Sequence, residues 1–332
     1  MNAKTELVHY KLQAGEIAQM KSRLQKDPQF VVVVLLVLLA AGSKLAPIGV
    51  GVAFASAHDP ASCLELVRNA VANEVAANSN STKHMFRARR QTPQGSQTKL
   101  YVETSDAMLG MTIASNDRPL APQDIQTEVR RLEGLAGNPE QLRRKHSQEQ
   151  ENAERTLRIV KALPDAFLYQ YDGEESGEAS GEAGRQLVRL RFRPNPAYQP
   201  PTHAEQVLVG MQGFLVIDPT TRRIARTDGT LFKEVAFGWG ILGHLDKGGH
   251  FLVEQRDIGN GSWEVSRMSL NFAGKILMFK SLAIKSDEVF SDFRPVPNGI
   301  TFAEGVEMLK AEEVKLAQNR GAETIDPQNP SH

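Results

Sequence analysis

Cysteine is all but missing from this 332-residue chain: Cys63 stands alone, which excludes an intrachain disulfide and leaves the redox compartment to be argued from other features. An excess of charge of one sign is missing too. Lys+Arg and Asp+Glu each number 39, so the formal net charge is zero and no bulk attraction draws the chain to nucleic acid or to an anionic surface. No nucleic acid is therefore expected as a partner. Catalytic signatures are also absent: no phosphate-cradling glycine loop opens a helix and no Gly-x-Ser-x-Gly elbow occurs. No enzymatic activity and no cofactor are expected on this ground. Hydrophobic residues are not lacking, and at 41% they suffice for a proper core.

Residues 1–57 read as a basic leader with a signal peptide or membrane anchor. Lys21, Arg23 and Lys26 precede the run from Phe30 to Ala41, which carries no polar side chain, as a positive n-region precedes an h-region. After Lys44 the chain is apolar again from Leu45 to Ala55, and Ala55-Ser56-Ala57 has the small-x-small form that signal peptidases accept. Cleavage after Ala57 is one reading; an uncleaved anchor is the other, because the whole stretch is long enough to span a bilayer. Lys44 at its middle opposes the anchor, at a cost of about 2.5–3.5 kcal/mol on insertion. Both readings place the remainder in the periplasm or otherwise outside the cytoplasm, and Met1 and Met20 are alternative starts. Ala61-Ser62-Cys63 puts small residues before a cysteine as a lipidation motif does, but Pro60 stands where leucine belongs. Asp59-Pro60 fits better as the N-cap and first residue of a helix.

Residues 58–318 are expected to form a single α+β domain, with 319–332 as a loose polar tail. Leu64, Val67 and Val71 recur on one face of a helix from Pro60 to Ala77. A hairpin follows from His84 to Thr104, with Phe86 and Ala88 on one face and Arg87 and Arg89 on the other, then a strand near Leu109 to Ala114. From 122 to 163 the chain turns helical and charged: Ile125, Val129, Leu132 and Leu135 form one stripe, Leu157, Val160 and Leu163 a second, and Asn138-Pro139 restarts the helix between them. Residues 174–184 are acidic, Gly/Ser/Ala-rich and expected as a disordered loop. Strands then alternate with turns such as Asp218-Pro219, Asp228-Gly229, Lys247-Gly248-Gly249 and Asn260-Gly261, before a closing helix from Phe302 to Leu316. Trp263 and Val265 are expected on one face, and Met268, Leu270 and Phe272 on the other.

His244, Asp246 and His250 lie close together, but their spacing matches no metal-ligand pattern, and histidines beside a glycine-rich turn are expected to bond its backbone. No metal site is expected. No activating histidine is identifiable for Cys63, and Gly238-Trp239-Gly240 reads as a bend packing an indole rather than a ligand approach.

Met211-Gln212-Gly213-Phe214-Leu215-Val216-Ile217-Asp218-Pro219-Thr220-Thr221-Arg222-Arg223-Ile224 resembles the glycine, apolar strand, Asp-Pro-x-Thr turn and return strand of the periplasmic lipoprotein-carrier superfamily. Ala166-Phe167-Leu168-Tyr169, Arg191-Phe192-Arg193-Pro194-Asn195-Pro196 and Gly243-His244-Leu245-Asp246-Lys247-Gly248-Gly249-His250-Phe251 look more closely like segments of a family of secreted bacterial proteins of unassigned activity. The first resemblance implies a strongly curved antiparallel sheet, an open and incomplete β-barrel, with the N-terminal helix and the inserted helical segment packed on it. It also implies an apolar ligand, such as a lipid or acyl chain, or a lipidated protein. Strand alternation nominates Phe86, Val102, Phe167, Leu190, Phe214 and Phe272 as lining residues. The alternative is a cell-envelope interaction or sensing module with a packed core, meeting an envelope protein through the helices of 122–163.

Overall fold

The computed structural model describes residues 59–79, 82–181, 183–237, 242–259, 261–276 and 280–323. The leader, the end of the tail, Gly238-Trp239-Gly240 and Asn260 lie outside the described residues. Among them are four α-helices: α1 (Pro60–Ser79), α2 (Pro122–Ala136), α3 (Pro139–Ala166) and α4 (Phe302–Glu323). None is long and apolar enough to cross a membrane.

Between these helices lie thirteen strands: β1 (His84–Thr92), β2 (Gly95–Glu103), β3 (Met108–Ser115), β4 (Arg118–Pro119), β5 (Phe167–Ser176), β6 (Gln186–Pro194), β7 (Met211–Asp218), β8 (Arg223–Leu231), β9 (Val235–Phe237), β10 (Gly243–Leu245), β11 (His250–Asp257), β12 (Trp263–Ile276) and β13 (Lys280–Pro295). They form one open sheet in the order β4-β3-β2-β1-β13-β12-β11-β8-β7-β6-β5, with β10 on the far end of β12 and β9 beside it. All the pairings are antiparallel, as hairpin connections demand. The fold is thus α+β with a large unclosed antiparallel sheet, as the order of elements predicts.

The sheet is apolar on both faces because helices cover both. Leu190, Leu215, Phe251, Leu270 and Phe272 carry the main core together with Val67 and Val71 of α1 and Ile159, Val160 and Leu163 of α3. Leu100, Val102, Leu109 and Met111 carry a second core with Leu132 of α2 and Phe302, Val306 and Leu309 of α4. Register puts the two on opposite faces: Ala88 pairs with Phe290, Glu288 with Met268, and Leu270 with Phe251 along one face, whereas Leu100 pairs with Arg87 on the other. The inserted helical segment is therefore split, α2 joining α4 and the end of α3 joining α1.

Gly137 caps the end of α2 and Asn138 starts the next helix; its side chain accepts from the Gln141 amide at 3.0 Å, and Pro139 follows as the first helical residue. From there α3 leads from Leu142, which packs on the second core, to Ala166 in the main one. Its 28 residues reach about 42 Å at the usual rise, enough to connect the β3 end of the sheet to the β5 end. No residue from Pro139 to Arg158 is buried, which accounts for the charge run: a bridging helix needs no apolar stripe. Tyr169 Oη then donates to the Leu163 carbonyl at 2.8 Å and ties the helix end to β5.

The β3 edge is capped by side chains. Glu128 of α2 accepts from the Thr112 amide at 2.9 Å, Arg131 donates to the Gly110 carbonyl at 2.8 Å, and Glu149 of α3 accepts from the Met108 amide at 3.0 Å. Backbone groups that would template another strand are thereby satisfied. Glu128→Ala is expected to cost about 1 kcal/mol and to promote self-association, read by thermal melting and light scattering. A monodisperse variant with an unchanged melt would refute this role.

Three expectations are revised. Glu174 and Glu175 of the acidic segment pair with Val188 and Leu187 in the ladder, and Glu178–Ser180 forms a 3-10 turn whose Ser180 is buried. Backbone pairing orders residues whose composition offers nothing apolar to bury. Val265 packs on the main core alongside Met268 instead of facing away, because the register shifts between Glu254 and Gln255 and inserts an extra residue in β12. The closing helix continues to Glu323, past the Leu316 at which its large apolar side chains end.

Candidate functional site

The six nominated lining residues do not converge on one chamber. Phe167, Leu190 and Phe272 meet in the main core, each at most 3% exposed. Val102 belongs to the second core on the opposite face. Phe86 stacks on Tyr101 at 5.2 Å and on Phe293 at 5.3 Å. Phe214 faces outward, with the guanidinium groups of Arg189 and Arg191 5.3 and 5.6 Å from its ring centroid. Its parity is opposite to that of Leu215, which the sequence of consecutive apolar residues in β7 conceals.

The main core contains a cavity of about 20 Å³. Phe167, Tyr169, Phe192, Leu215 and Phe251 line it from the sheet, and Ile159 and Leu163 of α3 close it. That volume holds about one water, and ligand chambers run to about 300–1,000 Å³. Cys63 lies in the same core at 2% exposure. Burial pushes its thiol up, against a hydrogen bond from the Tyr171 backbone that pulls the other way, so it packs as a small hydrophobe.

The roomier concavity is on the surface, between α2 and α4. It measures about 420 Å³, with Ile125, Val129 and Val314 as its apolar floor and Gln126, Arg130, Lys310 and Glu313 as its rim. Val314 is 51% exposed although it is large and apolar. Ile125 and Val129 were visible in the sequence as the stripe of α2. That α4 would lie beside them and leave a trough was not, because helix pairing is a tertiary fact.

The chain matches no known protein family, no curated protein and no solved structure. Function must be argued from these surfaces alone.

The histidine group is divided by the structure. His250 Nε2 lies 2.9 Å from Asp228 Oδ1 across the β8–β11 pair, while His244 Nε2 lies 3.2 Å from Asp246 Oδ1. Glu234, just before β9, joins the latter two; donor atoms of the three lie within 4.8 Å of one another. Sequence spacing could not find Glu234, which is brought in by the pairing of β9 with β10.

A buried polar group sits apart from both cores. Glu74 of α1 holds Arg223 through two bonds of 2.9 Å and accepts the Ile224 amide at 3.0 Å, and the guanidinium lies 5.8 Å from the Trp263 ring centroid. Glu264 and His84 lie near it, 3.4 Å apart. Burial, then the nearby Glu103 and Glu74 carboxyl groups, push Glu264 up to about 8 against the opposing pull of Arg223. Burial also lowers His84. Both shifts favour the uncharged forms, so the 3.4 Å contact gains less from charge than its distance suggests.

Proposed function

We propose that this chain is a non-enzymatic cell-envelope protein that works by binding another protein, through the trough between α2 and α4. The observation that carries this reading is the contrast between the interior and the surface. The main core leaves a cavity of about 20 Å³, whereas α2 and α4 leave an apolar-floored groove of about 420 Å³ in the open. Ile125 and Val129 on one helix and Lys310 and Val314 on the other stand four residues apart, so each pair lies one turn apart on its helix. Two such helices side by side offer a seat for a third, with apolar residues in the seam and charges at its margins. The occupant is an amphipathic helix of an envelope protein, and the mixed signs of Arg130, Lys310 and Glu313 favour a helix flanked by charges of both signs.

The export reading rests on the leader, and it gives the partner its compartment. Crosslinking in the native host tests the site, with a photoreactive residue at Val314 and a control at exposed Val289 on β13. A partner captured at Val314 alone and lost on Val129→Asp supports the groove. Equal capture at both positions, or capture of a second copy of this chain, overturns it.

Apolar-ligand binding, with a lipid or lipidated protein as cargo, is favoured by one observation: Ile159 and Leu163 of α3 close an almost wholly apolar lining to which only Thr227 adds a polar side chain beside the Tyr169 hydroxyl. A lipid would have to displace that helix. Native mass spectrometry of the purified chain decides, since a stoichiometric lipid would favour this second reading and a bare mass the first.

A further inference from the structure

β9 and β10 form a short hairpin-like pair whose register places three donors on one side. His244 pairs with Ala236 and Leu245 with Val235, so Asp246 and Glu234 stand opposite each other one step further on. In a strand, residues two apart share a face, which puts His244 and Asp246 on the face that Glu234 also occupies. The residue opposite His244 is the small Ala236, which leaves the space beside the imidazole open.

Two carboxylates facing each other across a strand pair destabilise it unless something positive lies between them. The strand beneath approaches closely. At Gly274 a Cβ would collide with the His244 carbonyl oxygen, and at Gly243 with the Lys275 carbonyl oxygen, so β10 and β12 lie closer than side-chain-bearing residues permit. That close approach fixes where the His244 backbone lies against β12.

We propose that Glu234, His244 and Asp246 form a three-ligand site for one divalent transition-metal ion of the zinc type. Zinc takes imidazole nitrogen and carboxylate oxygen at about 2.0–2.2 Å, which sets neighbouring donors of a tetrahedral site about 3.2–3.6 Å apart. The 3.2 Å between His244 Nε2 and Asp246 Oδ1 meets that spacing, and the third donor lies within 4.8 Å of both. Three protein ligands leave a coordination position open to water or to a donor from another molecule. One imidazole selects a borderline ion over calcium or magnesium, which prefer all-oxygen sets. Lys275 pairs with His244 from β12 on the other side, and its charge opposes the ion.

Calorimetric titration of the chelator-treated full chain with zinc chloride tests the site. One zinc per chain is expected. Loss of an outer-shell partner alone costs about 10–100-fold in metal affinity, so His244→Ala and the isosteric Glu234→Gln and Asp246→Asn are each expected to weaken binding at least tenfold. His250→Ala is expected to leave it unchanged, because that imidazole is engaged with Asp228 elsewhere. Lys275→Ala is expected to tighten it. All three ligands lie on a partly or fully exposed surface, and melting in chelator confirms that the variants fold. Absence of stoichiometric zinc, equal sensitivity to His250→Ala, or calcium bound as tightly as zinc would each overturn the proposal.

Discussion

Glu74→Ala is expected to lower the melting temperature by roughly 6–20 °C. Breaking a buried ion pair by removing one partner costs about 3–5 kcal/mol, and each kcal/mol is worth about 2–4 °C in a domain of this size. The loss falls at the upper end of what single substitutions do, because three bonds end on one carboxylate. Both side chains are nearly enclosed, at 3% for Glu74 and 6% for Arg223, so water cannot replace what is removed. The Ile224 amide loses its acceptor in the same step. The double variant Glu74→Leu with Arg223→Met is expected to recover most of the loss, since a buried pair replaced by apolar groups of similar volume is often neutral or better. A double variant no more stable than Glu74→Ala would show that the pair fixes how α1 sits on β8, not merely that a charge was stranded. Thermal melts of the three variants at one pH supply the comparison.

That pair also marks the limit of sequence reasoning. Glu74 continues the spacing of Leu64, Val67 and Val71 along α1, a charge on an apolar stripe, and Arg223 is one of two arginines leaving a turn. Nothing local says that they are 149 residues apart in sequence and in contact. What was legible was local chemistry. Asn138-Pro139 marks a helix start wherever it falls, Asp218-Pro219 marks a turn, and the alternation of Leu190 and Phe192 with Arg191 marks a half-buried strand. The helical insertion was legible to within a few residues for the same reason. Phe214 and Val265 were misplaced because parity read along a single strand fails where apolar residues are consecutive or where a bulge intervenes. Apolarity on both faces was legible too, but not its cause. Which helices cover which face is a tertiary fact: α1 and the end of α3 take one, α2 and α4 the other.

This difference bears directly on function. A carrier needs apolar surface that folding leaves unsatisfied, and here α1 and the end of α3 satisfy nearly all of the face that carries Phe167, Leu190 and Phe272. An open groove lies on the opposite side of the sheet. The large apolar side chain most exposed among the described residues, Val314, belongs to that side, and so does the stripe of α2. The long polar part of α3 then has a mechanical task, joining the two ends of an unclosed sheet, which needs no partner to explain its charge.

Stability is expected to fall as pH rises from about 5 to about 9, and Glu264→Gln is expected to remove most of that fall. Burial holds Glu264 up at about 8 in the folded chain, and an unfolded glutamate titrates near 4.5. Between these values the folded state binds a proton that the unfolded state does not, so unfolding free energy declines with rising pH throughout the window and levels off above it. Burial also raises Glu103 and Glu288, which adds to the same trend. His84 acts in the opposite direction: burial lowers it, so the folded state resists protonation there and stability is lost as pH falls below the ordinary histidine range. Glutamine has the shape of the protonated acid and cannot ionise. The variant should therefore match the native chain at about pH 5 and melt several degrees higher at about pH 9. Parallel melting profiles across this range would mean that Glu264 is ionised and compensated by Arg223 in the folded state, and the group beside His84 would then be an ion pair after all.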